Sequence, residues 1–471
     1  MAQSLAARKK ALDGYFKITE RDSTVRTEFI AGVTTFMTMA YILFLNPLIL
    51  SIPDRDGTVL DPQAVLVVTA LAAGITSFAM GAYANYPFAI AAGLGLNAVV
   101  AFQLVGGEQL TWPEAMGVIV VEGIIILILV LTKFRQAVMD AVPLALKHSI
   151  AVGIGLFIAV IGFVQAGFVT STTLPSPPLQ LGTGGELQGW PVGVFVIGLL
   201  FVIFLYTRRV KGALLIGILA TTILAVIVNS AFLDEEGFGG KARLANPIEV
   251  PDAASFDLVG NFSLGFFAEM GLLAAVLAIF TIMLSDFFDT MGTVIGLGRE
   301  ARLLDERGRL PDIGRVLVVD SAAAALGGSF SASSNTTYIE SASGIAEGGR
   351  TGLTAVVVGV LFLLSILFSP LARMIPFEAA APALVLVGFL MMTIVREIPW
   401  NDLEDAVPAF LTIVIMPFTY SITNGIGAGF IAYVFIKLTR GKGAEIKPMM
   451  YVAAAAFVVY FAIFYVRDFL I

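Results

Sequence analysis

Gly327–Gly344, GGSFSASSNTTYIESASG, decides how the chain is read. It is almost all Ser, Thr, Asn, Ala and Gly, with Glu340 near its end, and in isolation it reads as a loop. Yet apolar segments flank it on both sides, at about 313–327 and 352–372, each suited to a membrane. Backbone that is neither helical nor paired is tolerated at bilayer depth only where it is buried in protein or lines a cavity. The stretch therefore predicts an extended strand running into a half helix. A second segment, Asn85–Phe102 (NYPFAIAAGLGLNAVVAF), has the same character, with Pro87, Gly93, Gly95 and Asn97 interrupting a short apolar run. Two such segments in corresponding places point to a central binding site, where free N–H groups and half-helix N-termini suit a polar or anionic ligand.

The rest of the chain is a polytopic membrane protein. Of its 471 residues 58% are apolar and 13% charged, with mean hydropathy +0.92, against roughly 25% charged in soluble domains. About fifteen apolar segments recur from end to end, so that fourteen crossings with one extra or half segment is an equally good count. The net charge of −7 is spread among loops and argues for no nucleic-acid partner. The lack of cysteine excludes disulfides and Cys-held metals, and a single histidine, His148, excludes a His-rich metal site. With no Walker A pattern either, no cofactor and no ATP-driven step is expected.

Basic residues mark one side: Lys9, Lys10, Lys17 and Arg21; Lys133 and Arg135; Arg208, Arg209 and Lys211; Arg299, Arg302, Arg307 and Arg309. These loops read as cytoplasmic and 51–61, 171–189 and 233–256 as external, with residues 1–27 a cytoplasmic leader rather than a signal peptide. The two halves share spacing. Val142-Pro143 followed by Gly155-Leu156-Phe157 matches Ile375-Pro376 followed by Gly388-Phe389-Leu390, and Gly212 parallels Gly425. About seven spans separate corresponding segments, and an odd number turns the second copy over, as in transporters.

Thr281–Gly298, TIMLSDFFDTMGTVIGLG, carries Asp286 and Asp289 within an apolar span, three residues apart and so near one helix face. Acids at this depth normally face a protein interior or a water-filled cavity. With Glu340, Asn97, Asn335, the hydroxyl of Thr337 and the rings of Phe88, Phe330 and Tyr338, they make a set of candidate lining groups without Lys or Arg. An acid accepting two N–H bonds beside an aromatic face suits a flat neutral heterocycle better than an anion. Asp286 or Glu340 is also placed to take up a proton and couple it to the substrate.

Four motifs, VRTEFIAGVTTFMTMAYILFLNP from Val25, AAGLGLNA at Ala91–Ala98, SDFFDTMGT at Ser285–Thr293 and SSNTTYIESASGIAEGGRTG at Ser333–Gly352, together resemble the AzgA-like adenine/guanine/hypoxanthine permeases of the nucleobase-ascorbate transporter superfamily. The resemblance covers nearly the whole chain. It implies an all-α fold of fourteen transmembrane segments in two inverted seven-helix repeats, with short strands in the interrupted third and tenth spans. It implies a core domain (28–132 and 261–372), a gate domain (142–232 and 375–471) and an external loop at 233–260 between the repeats. It also implies symport of a purine with protons in preference to sodium, across the cytoplasmic membrane, by a homodimer. Asn97 matches the third-span polar residue, Asp286 and Asp289 the eighth-span acids, and Glu340 the tenth-span acid. On that basis Glu340 accepts purine N–H groups, Asp286 binds substrate or carries the proton, and Asp289 shares in coupling or holds the span-eight glycines. The extra apolar run at Met449–Val466 departs from the pattern.

Other readings stay open. A uracil or xanthine permease or an anion transporter of the same fold is separated by substrate competition; an intramembrane enzyme is disfavoured because an aspartyl dyad needs acids from two helices. Glu122 and Glu269 are read as lying near segment ends, with snorkelling or structural roles. Asp320 is read equally as structural or functional. Arg26 and Glu28 sit at a helix start and are assigned to structure.

Overall fold

The computed structural model describes residues 12–132, 142–172, 178–233, 237–244, 246–305 and 309–470, with backbone only over 463–470. Lys9, Lys10, Lys133, Arg135 and Arg307 of the basic pattern lie outside the described residues, as do parts of the 1–27, 171–189 and 233–260 segments.

The first span is α1 (Val25–Met39) and α2 (Ile42–Ile49), broken at Ala40 and Tyr41. Thr24 caps it, its hydroxyl accepting from Thr27 N–H. Next comes α3 (Pro62–Ala79), started by Asp61 and the proline, whose fixed φ suits the first turn. It runs on through a π turn, Met80–Ala84, to Asn85 in the left-handed region. The first interrupted segment is β1 (Ile90–Ala92), then α4 (Leu94–Ala98) prolonged by Val99–Val105. A Thr111–Glu114 capping box opens α5 (Trp112–Leu131). Then follow α6 (Leu144–Gln165), the hairpin of β2 (Val169–Ser171) and β3 (Leu179–Leu181), α7 (Trp190–Thr207) and α8 (Ala213–Phe232).

The second repeat opens with a short α9 (Phe266–Met270), cut at Gly271 (φ 76°) from the long α10 (Leu272–Glu300). After α11 (Ile313–Ser329) come β4 (Asn335–Thr337) and the half helix α12 (Ser341–Ala346), the strand-then-helix form expected of the polar stretch. The remaining helices are α13 (Gly352–Ser365), α14 (Phe377–Met392), α15 (Leu403–Thr419), α16 (Ile422–Thr439) and α17 (Pro448–Leu470). Among the described residues nine helices are by themselves long and apolar enough to cross a membrane. The kinked and interrupted spans bring the count to fourteen, and α17 is the additional segment. The protein is a multi-pass membrane protein.

Packing repeats itself under inversion. Helix α3 lies on α13 as α5 lies on α11, α1 on α13 as α10 on α5, and α7 on α14 as α15 on α6. The pseudo-axis passes between α6 and α14. There Gly155 and Gly388, the two glycines matched between halves, face one another: a Cβ on Gly155 would stand 2.7 Å from the Gly388 carbonyl, and one on Gly388 would strike the Gly155 carbonyl. Only glycine permits this approach.

The two ends of the bundle are chemically distinct. At one end Arg21 donates to the carbonyls of Asn85 and Arg350, Tyr86 to that of Pro311, and Lys211 pairs with Glu347. This is the Lys/Arg-rich end, the one that the sequence reading assigns to the cytoplasm. At the other, Arg55 joins Glu114 and Glu269, and Asp61 takes a bidentate Arg373. Glu28 is fully buried. It accepts from Arg350 N–H, Thr351 N–H and the Thr354 hydroxyl, tying the start of α1 to the start of α13.

Candidate functional site

The two interrupted segments meet head to head. Strands β1 and β4 pair antiparallel, Ile90 opposite Thr337, Ala91 opposite Thr336 and Ala92 opposite Asn335. Gly93 N–H donates to Ser334 O and Tyr338 N–H to Ala89 O, each at 2.9 Å. So small a sheet leaves backbone groups over, and hydroxyls take them up. Ser77 Oγ accepts from Ile90 N–H and donates to Ile90 O, both at 2.9 Å, while Ser341 Oγ accepts from Ala89 N–H at 3.0 Å. The Ser/Thr-rich composition that looked like a loop is thus what allows the strands at this depth.

Asp320, at mid-length of α11 and buried, fixes β4 from behind. Its Oδ1 accepts from Thr337 N–H (2.9 Å) and Thr337 Oγ1 (2.7 Å), and its Oδ2 from Thr290 Oγ1 (2.7 Å) on α10. Thr290 is also 2.9 Å from Thr336 Oγ1. One carboxylate thereby joins three elements, which resolves its role as structural support of the site. Thr337, expected to touch substrate, gives both its donors to Asp320 in this structure.

Glu340 stands where β4 turns into α12 and is half-buried. The Tyr41 hydroxyl donates to its Oε1 at 2.5 Å, from the break between α1 and α2. Hydrogen bonds to an ionised carboxylate such as this one are short and strong. Asp289 lies within electrostatic reach of both Glu340 and Asp320. It is solvent-accessible although it belongs to a spanning helix, whereas Asp286, one turn earlier, is buried. Gly292 and Gly296 continue the accessible strip of α10 past Asp289, with nothing within 4 Å of where a Cβ would stand, toward the Arg-rich end.

Asn97 in α4 and Asn335 in β4 are both buried, and neither amide makes a hydrogen bond among the described residues. Each keeps two donors and an acceptor in reserve. The aromatic candidates fare differently. Phe88 is fully buried and stacks on Tyr86 (5.1 Å, 19°) within a cluster that includes Met80, Val294 and Leu297. Phe330 packs on Val68, Ala72 and Ala332. In this structure both rings sit in packing clusters, beside a bend at Pro87 and a left-handed Ser331 (φ 54°).

Three residues escaped the sequence reading. Tyr41 looked like one more aromatic in an apolar run; its place beside an acid depends on a long-range approach of α1 to α12. Glu122 is not near a segment end: the capping box sets the helix start at Trp112, which puts Glu122 about 15 Å along α5. Gln103, past Asn97 in the same span, accepts from Ile422 N–H (3.0 Å) and Thr423 N–H (3.3 Å) and donates to Thr423 Oγ1 (2.5 Å), holding the start of α16. His148 Nε2 lies 3.7 Å from a Glu397 oxygen, and Glu269 pairs with Arg55.

A permease family model matches residues 26–428. The adenine permease AdeP of Escherichia coli is 40% identical over 447 residues, covering 95% of this chain and 95% of that protein. The guanine/hypoxanthine permease PbuG of Bacillus subtilis is 36% identical over 456 residues, covering 95% and 98%. Among solved structures, the transmembrane domain of the cyanobacterial bicarbonate transporter BicA aligns with TM-score 0.60 at 13% identity, over 86% of this chain and 97% of that one. The inward-facing murine anion transporter Slc26a9 aligns with TM-score 0.62 at 11% identity, over 88% and 68%. At those identities the likeness concerns the fold, two inverted seven-helix repeats with crossing half-helices. Taken with the four motifs and the strand crossing behind Glu340, these matches place the chain: it belongs to the permease family, on the purine-permease branch of the nucleobase-ascorbate transporters.

Proposed function

We propose that the protein imports purine nucleobases across the cytoplasmic membrane by alternating access, driven by protons in preference to sodium. The observation that carries this reading is Glu340, held by Tyr41 at the mouth of the crossing strands beside the accessible Asp289. Two acids with no Lys or Arg among them repel an anion, and suit a neutral heterocycle that offers ring N–H groups. The relatives named for adenine and for guanine/hypoxanthine transport support the same choice. Asp286, Asn97 and Asn335 contribute to binding from the surrounding elements, and Asp286, Asp289 and Glu340 share the coupled proton.

In this reading 28–132 and 261–372 form the core domain that carries substrate, and 142–232 and 375–471 the gate against which it moves. The Gln103 contact to α16 closes the external side, and the strip along Asp289, Gly292 and Gly296 leads to the cytoplasmic one. The role is transport rather than catalysis. Assembly as a homodimer through the gate is part of the proposal, supported by the exposed Ile197, Leu200 and Phe204 on α7; lipid contacts the remaining apolar surface.

Competition binding tests it. Purified protein titrated with adenine, guanine, hypoxanthine, xanthine and uracil should bind purines in a saturable manner and reject uracil. Uptake should collapse with a protonophore at constant external pH; survival with protonophore and loss without sodium would reassign the driving ion.

A further inference from the structure

Glu122 is the buried acid that the purine site leaves unused. It is fully buried at the middle of α5, and neither carboxyl oxygen makes a hydrogen bond among the described residues. The helices around it close tightly: a Cβ on Gly123 would lie 2.7 Å from Ala325 Cα, and one on Gly328 2.9 Å from Val120 N. An ionised carboxylate in such a place has no protein donor among the described residues to offset its desolvation.

Its charged neighbour is Asp320 on α11. Of the elements packed on α5, α10 carries Asp286 and Asp289 and, in its last turn, Arg299 and Glu300, α11 also carries Arg315 in its first turn, α9 carries Glu269, which pairs with Arg55, and Val99–Val105 carries no titratable side chain. Among the described residues no Lys, Arg or His forms an ion pair with Glu122. Asp320, in contrast, accepts three hydrogen bonds, from Thr337 N–H, Thr337 Oγ1 and Thr290 Oγ1, the surroundings of an anion. The pair is asymmetric: one acid with donors, one without, as where two carboxyls share a proton.

We propose that Glu122 is a second proton-binding site of the transporter, outside the Glu340 cleft, which governs substrate affinity through the Asp320 clamp on β4. With its proton in place Glu122 is neutral and Asp320 holds Thr337 and Thr290. When the proton leaves, a second negative charge stands against Asp320, the clamp slackens, and the strand leading into Glu340 loses its support. By linkage, a site that tightens purine when protonated is itself protonated more readily when purine is bound. The affinity consequence rests on the purine reading above; the proton site does not.

The test has two arms. Infrared pH-difference spectra of the reconstituted protein without any purine report protonated carboxyls directly. Wild type should show a carboxyl band that disappears on alkalinisation, that shifts with carbon-13 glutamate labelling, and that Glu122→Gln lacks. In the second arm adenine affinity is measured across the same pH range. Wild-type affinity should fall by up to about tenfold per pH unit beyond the point at which Glu122 loses its proton, and Glu122→Gln, which cannot charge, should lack that step and keep only the dependence set by the cleft acids. A band and profile unchanged in Glu122→Gln overturn the proposal, as does loss of the band with the profile unchanged. If Glu122→Gln does not fold, Glu122→Met, apolar and of similar length, replaces it in both arms. Failure of wild type to bind any purine would refute the purine reading while the infrared arm still decides the proton site.

Discussion

Removing the Asp320 carboxylate should cost more than any other single polar change behind the site. In Asp320→Ala three buried donors lose their acceptor at once. Thr290 can still turn its hydroxyl to Thr336 Oγ1, 2.9 Å away, but Thr337 N–H is fixed by the strand and has nowhere to go. A buried N–H left unpaired costs roughly 1–3 kcal/mol, and a hydrogen bond to a charged group contributes roughly 1.5–3 kcal/mol. These do not simply add, because wild type also carries the desolvation cost of Asp320 itself; breaking a buried charged cluster by removing one partner typically costs about 3–5 kcal/mol. Asp320→Asn keeps an oxygen for Thr337 N–H and should lose about 1–2 kcal/mol. Thermal unfolding in detergent, followed by size-exclusion of the soluble fraction, ranks the variants, and adenine titration reads the effect on the cleft. Thr337→Val should cost much less in the Asp320→Ala background than in wild type, since the two residues act through one contact. Equal stability and affinity for wild type and Asp320→Ala, or full additivity with Thr337→Val, would refute the clamp.

Three further expectations follow from individual contacts. Tyr41→Phe removes the hydroxyl that holds Glu340 and should weaken purine binding by about tenfold or more, corresponding to a charge-assisted hydrogen bond of about 1.5–3 kcal/mol, with the protein still folded; titration against the wild type checks it. Gly388→Ala drives a methyl into the Gly155 carbonyl and should destabilise by about 1–3 kcal/mol, and Gly155→Ala should cost a similar amount because the two sites are related by inversion, as paired thermal melts would show. In the external loop Asp252 accepts from Ser255 N–H and Oγ, which hold its carboxyl below the usual range. A depressed acid lends stability above its unfolded value and withdraws it as pH falls through its folded value. Asp252→Ala should therefore speed hydrogen exchange around 253–256 at neutral pH, with the difference vanishing as the solution is acidified.

Much of the fold is written locally. Gly327–Gly344 could not be a lipid-facing helix, and glycine spacing matched Gly155 to Gly388, so the crossing strands and the inversion were both legible. The acids of α10 and Glu340 stood out because charge in an apolar span is costly wherever it occurs. What was not legible depends on the approach of distant elements. Tyr41 meets Glu340 only when the first span reaches α12, and the packing partners of Phe88 and Phe330 likewise come from distant elements. Glu122 was misplaced by a boundary, since a capping box rather than hydropathy sets where α5 begins.

The central claim is that a purine is bound at Glu340 and carried with protons. Uptake of radiolabelled adenine and hypoxanthine into proteoliposomes under an inward proton gradient, for wild type and Glu340→Gln, tests it most directly. Saturable, gradient-driven uptake that purines block, uracil does not, and Glu340→Gln abolishes while remaining folded is the predicted result. Uptake by Glu340→Gln at the wild-type rate and affinity would remove Glu340 from the site, and no uptake of either base by folded wild type would contradict the function itself.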